Sequence, residues 1–245
     1  LMSACSNTVK RTSMELGGNA PFIVFDDADL DKAVSGAMIS KYRNAGQTCV
    51  CTNRILVQHK IYDEFVSKFK SACEKLVIGD GQKETTTIGP LIDSNAAEDV
   101  KSLIEDAKIK GARVELGGDS CDLGDNFVHP TILSNINTSM RVFNEEIFGP
   151  VAPIIKFETE NEAIELANQT DFGLAAYFYS RDVGRVYRVS EKLEFGIIGV
   201  NEGIISNEMA PFGGIKESGN GREGSKYGLD DYLEIKYVCV GGINE

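Results

Sequence analysis

Two histidines, His59 and His129, are all that the 245 residues contain. With so few imidazoles, and six cysteines of which only Cys49 and Cys51 stand close together, a zinc site is hard to assemble and no metal is expected. Cys5, Cys73, Cys121 and Cys239 are scattered, and the chain is long for a disulfide-stapled scaffold. A reducing, cytoplasmic compartment is therefore expected. Basic residues are also short: 25 Lys and Arg face 37 Asp and Glu, a net charge of −12. That balance repels phosphate backbones and anionic membrane faces, so neither a nucleic acid nor a membrane partner is expected. It leaves room for a local basic pocket that takes a small anion. No apolar run approaches the ~20 residues that span a bilayer. Neither a G-x-G-x-x-G nor a G-x-x-x-x-G-K-[ST] loop is read in the sequence, so a phosphate-cradling loop is not expected within these residues. The opening LMSACSNTVKRTSMELGG lacks the basic head and apolar core of a signal peptide, and reads as a start inside a larger protein.

What is present is enough apolar residue, 42%, to bury a substantial core. PFIVF (21–25) reads as a strand buried on both faces. The run 27–47 follows with acids at its start and Leu30, Ala33, Val34, Ala37 and Met38 at helical spacing. Residues 54–58 read as a strand and 61–76 as an amphipathic helix with Phe65, Phe69 and Cys73 on one face, which makes Cys73 a core residue. A helix over 94–112, a strand from 113, strands at 151–157, 174–180 and 195–201, and helices at 160–169 and 182–193 continue the alternation. That order predicts an α/β fold, an open, twisted, mostly parallel sheet with helices on both faces. The last apolar run, 232–242, reads as a strand with no helix after it. Such a tail pairs outside its own sheet, as with a partner subunit.

Within AGQTCVCTNR (45–54), a cysteine just past a helix is open to four readings: core filler, metal ligand, disulfide partner or nucleophile. A nucleophile needs a base and a means of holding an oxyanion. Glu15, in MELGGNAP, stands before a Gly-Gly turn where backbone without a Cβ lets another group approach, yet a carboxylate there is equally a solvated surface group.

The combination is more specific. Glu15-Leu-Gly-Gly, then Gly46-Gln-x-Cys49 with Cys49 34 residues after Glu15, then Glu146-Ile-Phe-Gly-Pro, then Pro211-Phe-Gly-Gly, resembles the aldehyde dehydrogenase superfamily in content and order from residue 14 to 214. YRNAGQTCVC and IISNEMAPFGG resemble the branch that oxidises succinic semialdehyde to succinate. The resemblance implies that Cys49 is the nucleophile and Glu15 the base that activates water. It implies an NAD(P) cofactor held by Glu146 with Phe148 beside it, and Leu16 and Gly17 against the nicotinamide. Arg43 is implied as the ligand of the substrate's far carboxylate, with Ser206 adding a hydrogen bond and Phe212 an apolar wall. Glu223 resembles a carboxylate that relays protons, and Cys51 a thiol that closes a reversible disulfide on the nucleophile.

The same resemblance divides the chain. Residues 1–17 would end a cofactor-binding domain that otherwise precedes this sequence, 18–217 would form the catalytic domain, and 218–245 a return segment and oligomerisation strand. It implies a dimer or tetramer, cytoplasmic, or mitochondrial if eukaryotic, and poor cofactor binding and turnover by the 245 residues alone. Two alternatives stand beside it: a dehydrogenase for another ω-carboxylated aldehyde such as glutarate semialdehyde, and a catalytically silent assembly module.

Overall fold

Every residue of Ala20–Val24 (β1) is buried, as are the first six of Thr52–Gln58 (β2). Successive strand residues point to opposite faces, so a strand buried at every position is covered on both sides. The computed structural model describes residues 1–119 and 121–242. Five further strands, Arg113–Leu116 (β3), Thr131–Ser134 (β4), Val151–Phe157 (β5), Ala175–Tyr179 (β6) and Ile197–Val200 (β7), complete one seven-stranded sheet in the order β3-β4-β5-β2-β1-β6-β7. All neighbours pair in parallel except β3, an antiparallel edge strand. The α/β expectation holds. Phe22, Ile55, Leu56, Ile154 and Phe178 are fully buried in the core, and removing a ring such as that of Phe22 costs about 3–5 kcal/mol.

The principal helices are Leu30–Tyr42 (α1), Tyr62–Cys73 (α2), Ser94–Ile109 (α3), Glu160–Asn168 (α4) and Val183–Lys192 (α5). Four begin at a side-chain cap: Asp29, Asp93, Thr159 and Asp182 each accept a backbone N–H from the first turn, closing donors the helix leaves open. Cys73 is core, packed under α2, and burial pushes its thiol up to about 12.

Four differences from the sequence reading have physical causes. The helix expected to run to residue 47 stops at Tyr42, because Asn44 and Ala45 adopt left-handed backbone in the short turn Arg43–Gly46. Strand β4 was not foreseen; its four residues are too few to show a period. The tail expected as a strand over 232–242 forms no ladder: a 3-10 turn occupies Tyr227–Tyr232, and Ile235, Tyr237, Val238 and Val240 are exposed. Within the described residues this segment meets no strand edge, and residues 243–245 of the expected tail lie outside them. Lastly, Gly219-Asn-Gly221-Arg-Glu-Gly224 does spell G-x-G-x-x-G. It follows a lysine-containing two-residue ribbon rather than a parallel strand and opens no α-helix, so it lacks the context that makes the pattern a phosphate cradle.

Candidate active site

Strands β1, β2 and β5 are adjacent and parallel, so their amino ends lie side by side. Glu15, Cys49 and Glu146 each fall in the short segment that leads into one of these strands. The topology thus gathers three residues that are far apart in sequence into one crevice. It is the opposite end from the carboxyl-end crevice that open α/β sheets commonly use.

Glycines make the segments fit. A Cβ on Gly18 would stand 2.7 Å from the Cys49 carbonyl oxygen, and one on Gly213 would stand 2.7 Å from Oε1 of Glu15. A Cβ on Gly17 would run into the Glu146 carboxylate, and Gly46, at φ +78°, turns against the Gly149 carbonyl. Each of the four motifs therefore touches another through a position that tolerates no side chain.

Cys49 is half-buried in the turn Thr48–Cys51, which is closed by Cys51 N–H donating to Thr48 O at 3.0 Å. Burial pushes the Cys49 thiol up, and the carboxylates of Glu146 and Glu15 push it further; the N–H groups of Cys49 and Val50 pull it back. Both oxygens of Glu15 are buried without a hydrogen-bond partner among the described residues. That desolvation raises the Glu15 pKa, with help from Glu223 and against Arg222. Burial likewise raises Glu146, while the Gly18 N–H, donating to Oε1 at 3.0 Å, and the Lys41 ammonium favour its charged form.

The remaining predicted residues fall around this centre. Phe212 and Glu223 exchange two backbone hydrogen bonds of 2.8 and 2.7 Å, which carries Glu223 to the Glu15 side of the site. Leu16 and Phe148 are both about half exposed, flanking Gly17 and Glu146. Arg43 is exposed at the end of α1, near enough to Cys51 and Tyr177 to favour their anionic forms. Ser206 is exposed on the loop after β7 and makes no hydrogen bond to Arg43 among the described residues. The cysteines are free; Cys51 Sγ donates to the carbonyls of Lys41 at 3.3 Å and Thr52 at 3.4 Å. A larger groove of about 780 Å³, lined by Tyr62, Lys70, Arg113 and Lys156 among others, lies between α2 and strands β3 to β5 and includes none of these residues.

Several supports escaped the sequence reading. Asn53 donates to Glu145 O and accepts the Ile147 N–H, both at 2.9 Å, and also donates to Asn19 Oδ1 at 2.7 Å. Asn19 in turn donates to Phe143 O at 3.0 Å. Ser218 Oγ donates to Gly17 O at 2.7 Å. Arg54, fully buried with no carboxylate, donates to Asn19 O, Leu166 O and Ala167 O and covers the Phe143 ring. Burial brings its pKa down to about 9, still a cation at neutral pH. A signal existed for the asparagines: Asn is disfavoured in strands, yet Asn19 stands directly before β1 and Asn53 inside β2, which marks a specific hydrogen-bond duty.

A half-buried thiol between two desolvated carboxylates, at the strand ends of an α/β sheet, defines a domain suited to thiol chemistry on a small molecule. The aldehyde dehydrogenase family pattern matches residues 1–238, and the chain belongs to that family. It is 61% identical over 241 residues to the NADP(+) succinate-semialdehyde dehydrogenase of Escherichia coli, covering 98% of this chain and 50% of that protein. It is 60% identical to a 3-sulfolactaldehyde dehydrogenase of Pseudomonas putida (100% of this chain, 50% of that one) and 59% identical to a glutarate-semialdehyde dehydrogenase of Pseudomonas aeruginosa (99% and 50%). The crystal structure of succinate-semialdehyde dehydrogenase from Burkholderia pseudomallei superposes with a TM-score of 0.96 at 57% identity, over 98% of this chain and 50% of that one. The chain spans about half the length of the relatives it matches.

Proposed function

We propose that this chain forms the catalytic part of an NAD(P)-dependent dehydrogenase that oxidises succinic semialdehyde to succinate. One observation carries the reading: Cys49, Glu15 and Glu146 converge at glycine-only contacts, with both Glu15 oxygens buried and without a hydrogen-bond partner among the described residues. A buried carboxylate without a hydrogen-bond partner is poised to take a proton. The Cys49 thiolate attacks the aldehyde carbon, and the C–S bond forms as the C=O electron pair moves to oxygen. From that hemithioacetal oxyanion, re-forming C=O would expel a hydride, for which a bound nicotinamide would be the acceptor, and would leave the thioester on Cys49. Glu15 removes a proton from the water that cleaves the resulting thioester, and succinate leaves as the Cys49 sulfur is released. Glu223, whose charge raises the Glu15 pKa, suits a relay that passes that proton outward. Glu146, with the Gly17 gap beside it, suits the ribose hydroxyls of the cofactor, and Leu16 and Phe148 offer apolar cover.

Arg43 supports a substrate with a second anionic group, because a guanidinium holds a carboxylate bidentately. The relatives named for glutarate semialdehyde and 3-sulfolactaldehyde keep those substrates as the second reading. The exposed apolar tail, Ile235 to Val240, supports assembly into an oligomer through that segment. Protection of Cys49 from alkylation by succinic and by glutaric semialdehyde tests the substrate. Stronger protection by the shorter aldehyde, lost in Arg43→Ala, fits the proposal; equal protection, indifferent to Arg43, refutes it.

A further inference from the structure

Beneath the nucleophile turn lies a floor of buried polar groups that the chemistry above does not use. Tyr177, on β6, is 1% exposed, and its hydroxyl donates to Val50 O at 2.7 Å. Lys41, at the end of α1 and fully buried, donates to Thr52 O at 2.9 Å. Ser40 and Thr52 share a hydrogen bond of 2.6 Å, and Cys51 Sγ donates to the carbonyls of Lys41 and Thr52. The turn that carries Cys49 is thus held at Val50 from the sheet and at Cys51 and Thr52 from the helix.

Tyr177 is the support that comes from the sheet. Its ring sits in the sheet opposite Gly199 on β7, where an added Cβ would stand 2.9 Å from Cδ1, and beside Phe22 at 6.0 Å between centroids. Packed on both sides, the ring has no room to swing, so its hydroxyl is a fixed point set by the sheet. Burial keeps that hydroxyl protonated and a donor. Its acceptor, Val50 O, belongs to the peptide whose N–H closes the turn onto Thr48. Fixing that peptide fixes the turn Thr48–Cys51, whose Cys49 and Val50 N–H groups favour the thiolate form of Cys49.

We infer that Tyr177 is a positioning residue for Cys49: its hydroxyl clamps the Val50 carbonyl and so holds the turn that carries the Cys49 sulfur. This rests on the reading of Cys49 as the nucleophile. It gives the buried phenol a purpose in catalysis without contact with substrate. Without the clamp the turn relaxes, and the sulfur loses its fixed place beside the N–H groups that favour its thiolate.

The test is iodoacetamide labelling of Cys49 across pH, read by peptide mass mapping, in the parent chain, Tyr177→Phe and Tyr62→Phe. Tyr62 is the matched control, since its buried hydroxyl also donates to a backbone carbonyl, Ile154 O at 3.3 Å, away from the site. Tyr177→Phe is expected to move the Cys49 profile to higher pH and slow labelling at fixed pH by about threefold or more, the net of less thiolate and greater intrinsic nucleophilicity. Tyr62→Phe is expected to leave it in place. An unmoved profile in Tyr177→Phe, or equal displacement in both variants, overturns the inference. Succinic semialdehyde is included with the parent as a separate readout. If it gives Cys49 no protection, the nucleophile reading itself falls and the positioning role falls with it.

Discussion

Asn53 holds the backbone on both sides of Glu146, donating to Glu145 O and accepting the Ile147 N–H, each at 2.9 Å. The carboxylate proposed for the cofactor is therefore aimed by a residue of the strand that follows Cys49. Replacing Asn53 by Ala leaves Glu145 O, the Ile147 N–H and Asn19 Oδ1 without this partner. Unsatisfied buried groups cost about 1–3 kcal/mol each, so urea unfolding of Asn53→Ala is expected to show a loss of about 3 kcal/mol or more. Asn53→Asp, which keeps an acceptor for Ile147 but faces two oxygens with a carboxylate, is expected to lose stability too. A loss below about 0.5 kcal/mol in Asn53→Ala contradicts the bracing role.

Gly18→Ala probes the contact between two motifs. The new Cβ would stand 2.7 Å from Cys49 O, a backbone atom that cannot rotate away. Overpacking of this kind costs about 1–3 kcal/mol, and it displaces the nucleophile turn. Aldehyde protection of Cys49 is expected to fall in this variant more than in Gly81→Ala, where an added Cβ meets nothing within 4 Å.

Glu15 sets a pH dependence whose sign follows from burial. Its pKa is raised in the folded chain, first by desolvation and then by Glu223. The folded state holds this proton more tightly than the unfolded state. Its contribution to stability is therefore full at pH below the unfolded value and lost as pH rises through the folded one. Catalysis by the proposed base would run the other way, since Glu15 would act only when deprotonated. The acid limb of thioester hydrolysis is expected above the ordinary carboxylate range. Glu15→Gln is expected to slow hydrolysis by about 10²–10⁴-fold, to let the acylated Cys49 accumulate, and to erase that limb.

Cys51 is held by two carbonyls, and a disulfide with Cys49 requires its thiol to leave both. Burial also raises its pKa, ahead of the opposing pull of Lys41. Mass mapping after mild oxidation with diamide is expected to find the exposed Cys239 modified well before Cys51. A Cys49–Cys51 disulfide formed ahead of any change at Cys239 is the result that supports the switch.

The sheet was legible because its strands are apolar runs punctuated by capped helices, and β1 shows this in five residues. The three central site residues were legible as parts of motifs, since glycines beside Glu15, Cys49 and Glu146 are needed for contacts that sequence order alone does not reveal. What stayed hidden is the polar scaffolding. Lys41 looks like a solvated lysine in a helix's last turn, Arg54 like the polar start of a strand, and Tyr177 like one aromatic among several. Each acquires its partner only when distant segments meet, so no local pattern announces it. The tail forms no strand among the described residues for a related reason: pairing is a property of two segments, and no strand edge meets it there.

The account turns on Cys49 as a thiol that meets an aldehyde. Its most direct test is the rate of iodoacetamide labelling at Cys49 and Cys239, mapped peptide by peptide across pH, with and without succinic semialdehyde. The account predicts that the aldehyde slows labelling at Cys49 and leaves Cys239 unchanged. It also predicts that the Cys49 profile, displaced to high pH by burial and by Glu146 and Glu15, moves back toward lower pH in Glu146→Gln. Labelling of Cys49 that ignores both the aldehyde and the loss of the Glu146 charge would contradict it.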